Sequence, residues 1–164
     1  MDRLWSPWRY QYVGRQRGDE GCIFCDRAAA GGDRENLIVH RGRLNYVILN
    51  RYPYAVGHLM VAPYAHAGTL EDTPPETATE MMMLTREAER ILRAVYRPEG
   101  LNIGMNIGAC AGAGVAGHVH MHVLPRWTGD ANFMTTVGET RVLPEDLGVT
   151  WEKLHEAFAN SEVR

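Results

Sequence analysis

The sequence lacks long apolar runs, an excess of either charge and an even set of cysteines, and each absence excludes a class of protein. Its 164 residues carry 17 basic and 20 acidic side chains, and this balance argues against a protein that binds the phosphate backbone of nucleic acids. No segment approaches the roughly 20 apolar residues of a membrane span, and residues 1–14 have no apolar core of the length that a signal peptide needs. We therefore expect a cytoplasmic protein without nucleic-acid or membrane partners.

The three cysteines are an odd number and a poor basis for a disulfide framework. Cys22 and Cys25 form a C-x-x-C pair, a spacing that is typical of half a zinc site or of a redox pair. Cys110 lies among small residues, and we expect it to be a buried, small apolar side chain. Candidate metal or redox chemistry therefore belongs to the first two cysteines.

Residues 1–20 are predicted to form an N-terminal arm, and residues 21–164 a single domain. The arm is rich in aromatic residues and arginine, so that it packs either on its own domain or on a partner subunit. Apolar runs bounded by turn residues predict five strands in the rest of the chain. They cover residues 35–41, 43–50, 58–63 and 101–108, and a fifth strand that runs through His118 and ends at Pro125.

A long amphipathic helix is predicted between the third and fourth strands. Thr73 and Glu76 have the spacing of a capping box, Pro74 suits the first helical position, and Pro98 helps to end the helix. A further helix is predicted within residues 144–160. Strands joined by short links, with one long helix and one or two shorter ones, predict an α+β fold with a five-stranded, mainly antiparallel sheet.

His118, His120 and His122 alternate with apolar residues in the segment HVHMHV. Because successive strand side chains point to opposite faces, the imidazoles share one face and the apolar residues point into a core. Three interpretations are open. The first is a metal site made by the whole triad, although a straight strand holds three ligands too far apart for one tetrahedron. The second is a set of satisfied histidines without a role, and the third is nucleophilic catalysis, in which a neutral imidazole attacks phosphorus while its neighbours orient it and move protons.

A loop of glycine and alanine over residues 108–117 directly precedes the histidines. Its backbone N–H groups are not blocked by large side chains, and such loops can form anion-binding nests. Beside three histidines, this loop favours a site where a phosphate group and a nucleophile meet.

The segment HVHMHVL, residues 118–124, resembles the histidine triad pattern of the HIT superfamily. The resemblance extends from CIFC through LNRYPYAVGHLMVAPYAH to GHVHMHVLPRWTGDANFM. The segments LWSPWRY and PRWTGDANFM look like the bacterial diadenosine tetraphosphate phosphorylase or hydrolase branch. The resemblance implies a HIT-like fold, a homodimer and an enzyme, a nucleotide hydrolase or transferase.

In this family the middle histidine, here His120, attacks the α-phosphate of a nucleotide and forms a nucleotidyl-imidazole. Water, or inorganic phosphate in phosphorylases, then releases the nucleotide. The resemblance implies that His122 contacts the phosphate and helps to protonate the leaving group, with His118 as the first member of the catalytic triad. His58 matches a family position near the nucleophile.

The resemblance also implies a nucleotide-binding set around these histidines. Asn50 matches a residue that reaches the ribose, and Asn106 a residue by the ribose and phosphates. The loop that binds phosphate through main-chain groups corresponds to Gly112, Ala113, Gly114 and Val115.

A branch of the family carries structural zinc, and this chain has a matching set of ligands. The four matching residues are Cys22, Cys25, His66 and His118. A Cys₂His₂ set suits a closed, non-catalytic zinc site. In that case zinc fixes His118 and pins the N-terminal arm to the histidine strand; otherwise the C-x-x-C pair is unliganded.

The chain departs from many relatives at Gly114 and Val115, where those relatives have Gln-Ser or Gln-Thr. A side-chain hydroxyl near the phosphate is therefore missing, which disfavours a simple nucleoside phosphoramidase. The leading hypothesis is an enzyme that cleaves dinucleoside polyphosphates, diadenosine tetraphosphate first. The alternatives are a phosphoramidase or adenylyl hydrolase that acts on AMP-linked compounds, and a nucleotide-binding interaction protein without turnover.

Overall fold

A computed structural model describes residues 21–131, 133–137 and 143–161. Helix α1 spans Ile23–Ala29 and directly follows Cys22. The further elements, in chain order, are β1 Ile38–Arg41, β2 Asn45–Leu49, β3 Leu59–Pro63, α2 Pro75–Tyr96, β4 Gly100–Gly104, a 3₁₀ turn Ala109–Ala111, β5 Met121–Arg126, α3 Phe133–Thr136 and α4 Leu147–Ala159. The predicted N-terminal arm, residues 1–20, lies outside the described residues.

The five strands form one sheet in the order β1-β2-β3-β5-β4, and all four neighbouring pairs are antiparallel. The predicted α+β fold with a five-stranded antiparallel sheet is therefore confirmed. Strand β5 lies between β3 and β4, with His122 opposite Met60 on one side and Gly104 on the other. Pairing on both sides fixes the register of the last histidine of the triad.

Each face of the sheet packs against a different helix. Helix α2 buries the side chains that recur at helical spacing, such as Leu84 and Leu92, against one face, together with Leu154 of α4. Phe24 of α1 packs on the opposite face with Tyr46 and neighbouring apolar side chains. Because both faces are covered, all five side chains of β2 are buried.

Four local predictions are wrong. Helix α2 begins at Pro75 and its N-cap is Pro74, so Thr73 stands one residue too early to form a capping box, and its hydroxyl donates to the Thr69 carbonyl at 2.8 Å. Pro125 lies inside β5: the pairing with β3 stops at Val123, so that Pro125 pairs with β4 alone. Helix α3 lies where only a polar loop was expected, and Cys110 is exposed in the 3₁₀ turn rather than buried.

Within the described residues, no helix combines the length and the apolar character that crossing a membrane requires.

Candidate active site

The histidine segment divides its side chains between the two faces of the sheet as predicted. Val119, Met121 and Val123 are buried in the core beneath α2, whereas His118 and His120 contact Phe24 of α1 on the other face. Strand β5 begins only at Met121, so two of the three histidines precede the strand. Their alternation persists because the extended chain keeps its period of two beyond the last sheet pairing.

The ring of His120 is held by a main-chain acceptor. Its Nδ1–H donates to the His118 carbonyl over 2.8 Å, and the side chain is only 4% exposed. Since the carbonyl can only accept, the proton of the neutral ring is on Nδ1 and Nε2 carries a free lone pair. Burial lowers the pKa of His120, although the hydrogen bond to the His118 carbonyl opposes this effect. The neutral ring therefore presents one unprotonated nitrogen.

A hydrogen-bonded pair formed by His58 and His122 lies beside this ring. The Tyr54 backbone N–H donates to His58 Nδ1 at 3.2 Å, and the Asn50 amide nitrogen lies 3.4 Å from the same atom. Both groups are donors, so the proton of a neutral His58 is on Nε2, which lies 2.9 Å from His122 Nδ1. His122 then accepts at Nδ1 and carries its own proton on Nε2.

The environment keeps His122 neutral near pH 7. Burial, followed by the proximity of His120, lowers the pKa of His122 to about 4. The two rings meet edge to face, with centroids 4.9 Å apart. The neutral His122 ring, which donates from Nε2, therefore lies next to the neutral His120 ring, whose Nε2 is unprotonated.

Asn50 and Asn106 lie at the margins of this histidine cluster. The Asn50 backbone N–H donates to the His58 carbonyl at 2.9 Å, which joins the end of β2 to the start of β3. Asn106 is exposed just beyond β4 and, together with His58 and His122, lines a pocket of about 220 Å³. A larger cavity of about 880 Å³ lies between α2 and the end of α4, and none of the predicted site residues lines it.

The Gly/Ala loop uses some of its own N–H groups internally. Gly108 and Gly112 have positive φ angles of 84° and 91°, and the N–H groups of Gly112 and Ala113 donate to loop carbonyls. In the part of the chain that the structure describes, the N–H groups of Gly114 and Val115 have no hydrogen-bond partner. Within the predicted phosphate-binding segment 112–115, these two are therefore the donors that remain for a ligand.

Four metal-type donors converge behind the histidine segment. Cys22, Cys25, His66 and His118 each offer one ligand atom, and these atoms all lie within 4.8 Å of one another. Cys22 Sγ is 3.2 Å from His118 Nδ1, and Cys25 Sγ is 3.4 Å from His66 Nδ1. His118 Nε2–H donates to the Pro63 carbonyl at 2.9 Å, which leaves Nδ1 free for a metal. The set can therefore hold a metal ion, with soft sulfur and imidazole donors in the combination that structural sites use.

The cysteine pair does not have the environment of a redox-active pair. Burial and contacts with Cys22 raise the pKa of the Cys25 thiol to about 11. Reactive cysteines show the opposite shift, because a lowered pKa supplies the thiolate. Of the two interpretations of the C-x-x-C pair, the convergence of four donor atoms favours the metal site.

Sequence reasoning missed Phe24 and Tyr54, which both contact the histidines. The Phe24 ring lies 4.7 Å from the His120 ring, and the Tyr54 ring 4.7 Å from the His58 ring. The position of Phe24 between Cys22 and Cys25 was a signal for this contact. If both cysteines face the histidine strand, the residues between them are also held close to it. No signal marked the Tyr54 backbone N–H, which acts through a loop conformation that its side chain does not specify.

Three features define a histidine triad protein. They are the antiparallel sheet, the buried His120 ring with His118 and His122 beside it, and the adjoining glycine loop. The chain belongs to the HIT family, since the HIT domain model matches residues 32–129. It is 40% identical to the AP-4-A phosphorylase of Mycobacterium tuberculosis, over 97% of this chain and 85% of that protein. It is also 30% identical to the asymmetrical bis(5'-nucleosyl)-tetraphosphatase of Schizosaccharomyces pombe, over 57% of this chain and 50% of that protein.

The fold is similar to that of solved HIT structures. A zinc-bound histidine triad family protein from Mycobacterium smegmatis superposes with a TM-score of 0.67 and 30% identity, and covers 85% of this chain and 94% of its own. A hypothetical histidine triad nucleotide-binding protein from Sulfolobus tokodaii has the same TM-score with 25% identity, over 85% of this chain and 93% of its own.

Proposed function

We propose that this protein is an enzyme that cleaves dinucleoside polyphosphates, diadenosine tetraphosphate first, through a covalent bond between His120 and a nucleoside monophosphate. The observation that carries the proposal is the 2.8 Å hydrogen bond from His120 Nδ1–H to the His118 carbonyl, which leaves Nε2 as an unprotonated nucleophile. The similarity to an AP-4-A phosphorylase along 97% of the chain supports the choice of substrate.

In the first step, the lone pair of His120 Nε2 attacks the α-phosphorus of the substrate. A P–N bond forms, the bond between the α-phosphorus and the bridging oxygen breaks, and ATP leaves when the substrate is diadenosine tetraphosphate. The bond electrons remain on the leaving oxygen, which needs a hydrogen-bond donor. In the second step, water or inorganic phosphate attacks the same phosphorus, the P–N bond breaks, and AMP or ADP is released.

We assign the leaving group's hydrogen-bond donor to His122 and the control of its tautomer to His58. The order of donors, from the Tyr54 N–H through His58 to His122, leaves the His122 Nε2–H free to donate. A bound polyphosphate brings negative charge beside His122, and an adjacent opposite charge raises the pKa of a histidine. This donor takes over the role of the hydroxyl that the chain lacks at Val115.

We assign phosphate binding to the main chain at the end of the Gly/Ala loop. The N–H groups of Gly114 and Val115 are free to donate, while those of Gly112 and Ala113 shape the turn that presents them. Asn50 is proposed to contact the ribose from beside His58, and Asn106 the ribose and phosphates from the pocket edge.

We propose zinc as the structural metal of Cys22, Cys25, His66 and His118. Zinc takes four such ligands, and the convergence of the donor atoms within 4.8 Å and the second hydrogen bond of His118 support this assignment. A zinc-bound relative at 30% identity adds to it. The metal would supply folding energy rather than chemistry on the substrate, because all four positions are taken by protein ligands.

Zinc is tested by metal analysis of purified protein. We expect about one zinc ion per chain and its loss in Cys22→Ser, because a structural site needs its full set of ligands. Protein that is purified without chelators and contains no zinc would refute the assignment. Exposed Cys110→Ser is the matched control and should keep the metal.

Two further observations support proposals for the assembly and the location of the protein. Strand β4 is at the edge of the sheet, and Ile103 on it is 42% exposed. Such an edge is a template for a second copy, so we propose a homodimer of one HIT-like domain per chain, preceded by the arm of residues 1–20. Cysteines that ligate a metal must stay reduced, which supports a cytoplasmic location.

The function is tested by incubating the protein with diadenosine tetraphosphate, with and without inorganic phosphate, followed by acid quench and mass spectrometry. ADP and ATP that appear only with phosphate identify a phosphorylase, and AMP and ATP in water identify a hydrolase. We expect a nucleotidyl adduct on His120 and a loss of turnover by about 10³-fold or more in His120→Ala. Exposed His155→Ala is the control; no adduct on His120, or near-normal turnover in His120→Ala, refutes the proposal.

A further inference from the structure

Phe24 fills the space between the candidate metal cluster and the His120 ring. Its side chain is 4% exposed, and its ring centroid lies 4.7 Å from that of His120 and 5.1 Å from that of His118. A side chain so deeply buried offers almost no surface to a ligand. Its contacts with the two histidines are therefore contacts within the protein, made before any substrate binds.

The backbone of Phe24 is held from several directions. The Tyr46 hydroxyl donates to the Phe24 carbonyl at 2.8 Å. The cysteines on either side of it lie 3.2 Å from His118 Nδ1 and 3.4 Å from His66 Nδ1. Because α1 is a helix of only seven residues, these contacts fix where the whole helix lies on the sheet. The place of the Phe24 ring follows from them.

A single hydrogen bond does not fix the orientation of the His120 ring. The bond to the His118 carbonyl holds Nδ1, but the ring can still tilt about that point. Phe24 packs beside the ring at an interplanar angle of 37°, and His122 packs on it at 72°, so movement is blocked from two directions. Attack on phosphorus needs Nε2 in line with the leaving group, and small misplacements of a reacting group are expensive in rate.

We infer that Phe24 is a positioning residue for His120, and that the cluster of Cys22, Cys25, His66 and His118 sets its place through α1. The inference rests on the proposed function, because it gives Phe24 a role in nucleotidyl transfer to His120. The metal cluster and the nucleophile are then mechanically coupled: α1 and the residue directly before it supply the two cysteines of the cluster, and α1 also supplies the side chain that packs on the His120 ring.

The experiment compares Phe24→Leu with Phe158→Leu in metal-loaded protein. Phe158 is the matched control, since it is equally buried but packs on His40 in the core beneath the opposite face of the sheet. The readouts are the single-turnover rate of nucleotidyl-enzyme formation, KM and zinc content. We expect Phe24→Leu to keep its zinc and its KM within about twofold and to lose about tenfold or more in the first-step rate. Phe158→Leu should keep that rate.

A second readout does not depend on activity. Nitrogen-15 spectra of the histidine rings should show His120 protonated on Nδ1 in the native protein and in Phe158→Leu, but a mixture of tautomers in Phe24→Leu. Equal first-step rates and equal His120 spectra in the two variants would overturn the inference. Phe24→Met serves if Phe24→Leu does not fold, and failure of both to fold would also overturn it, because the role is then structural. If native protein forms no adduct, the proposed function fails, while the spectra still decide the position of the ring.

Discussion

The half-buried, neutral state of His122 predicts how the stability of this protein depends on pH. In the unfolded chain a histidine binds a proton below about pH 6.5, whereas burial lowers the pKa of His122 in the folded protein to about 4. Between these values the unfolded state binds more protons, so acidification favours unfolding. The contribution of His122 is therefore complete above about pH 6.5 and is lost as the pH falls from there towards 4.

The size of the effect follows from the same shift. Between about pH 7 and about pH 5, the full shift corresponds to about 2 kcal/mol of unfolding free energy. The ring keeps part of its surface in solvent, and screening there reduces the figure, so we expect about 1 kcal/mol. His120 and His40 add to the slope in the same direction, because burial lowers the pKa of each of them.

The perturbation that isolates the contribution of His122 is His122→Asn. The amide oxygen can still accept from His58 Nε2–H, while the titrating group is removed. The assay is urea denaturation of both proteins at the two pH values. For each protein, the unfolding free energy at acid pH is subtracted from the value at neutral pH. The metal site and the other histidines contribute to this difference in both proteins, so their contributions cancel when the two proteins are compared. We expect the fall in unfolding free energy to be about 1 kcal/mol smaller in His122→Asn than in the native protein. His155→Asn is the control, and an unchanged pH dependence in His122→Asn would show that this ring is not held neutral by burial.

Two further predictions concern stability at neutral pH, measured by urea denaturation. The Glu80 carboxylate accepts from the backbone N–H groups of Arg43 and Leu44 and from the Asn45 amide, at 2.6–2.9 Å. Glu80→Ala should therefore lower the unfolding free energy by about 2 kcal/mol. A change below about 0.5 kcal/mol would mean that water replaces these bonds. Leu92 is fully buried between α2 and the sheet, so Leu92→Ala should cost about 2–5 kcal/mol; exposed Met82→Ala on the same helix should cost well under about 1 kcal/mol, and similar losses in both would contradict the packing.

The parts of the fold that the sequence predicted well depend on periodicity. Alternation of period two in the segment of His118 and His120 predicted which side chains reach the core, and helical spacing predicted the buried face of α2. These patterns are repeated along an element, so a single exception does not remove them. The resemblance also identified four donors that the structure brings together over separations of up to 96 residues.

The parts of the structure that the sequence did not predict depend on single interactions that no repeated pattern marks. The first helical residue is Pro75 rather than Pro74, and this shift by one position leaves the Thr73 hydroxyl bonded to the Thr69 carbonyl and outside the cap. Helix α1 has seven residues, too few for a periodic signal. The hydrogen bond between His58 and His122 joins residues 64 positions apart, and its direction is decided by the Tyr54 N–H, which no residue type encodes.

The Tyr54 N–H is a main-chain group, and this has a consequence for variation at the site. Every amino acid other than proline supplies the same donor at position 54, so the hydrogen bond to His58 Nδ1 survives a change of side chain there, although the contact of the Tyr54 ring with the His58 ring would be lost. The direction of the hydrogen bond from His58 to His122 is thereby set by a peptide N–H, which does not titrate. Proline at position 54 would remove this N–H and leave the Asn50 amide as the remaining donor to His58 Nδ1.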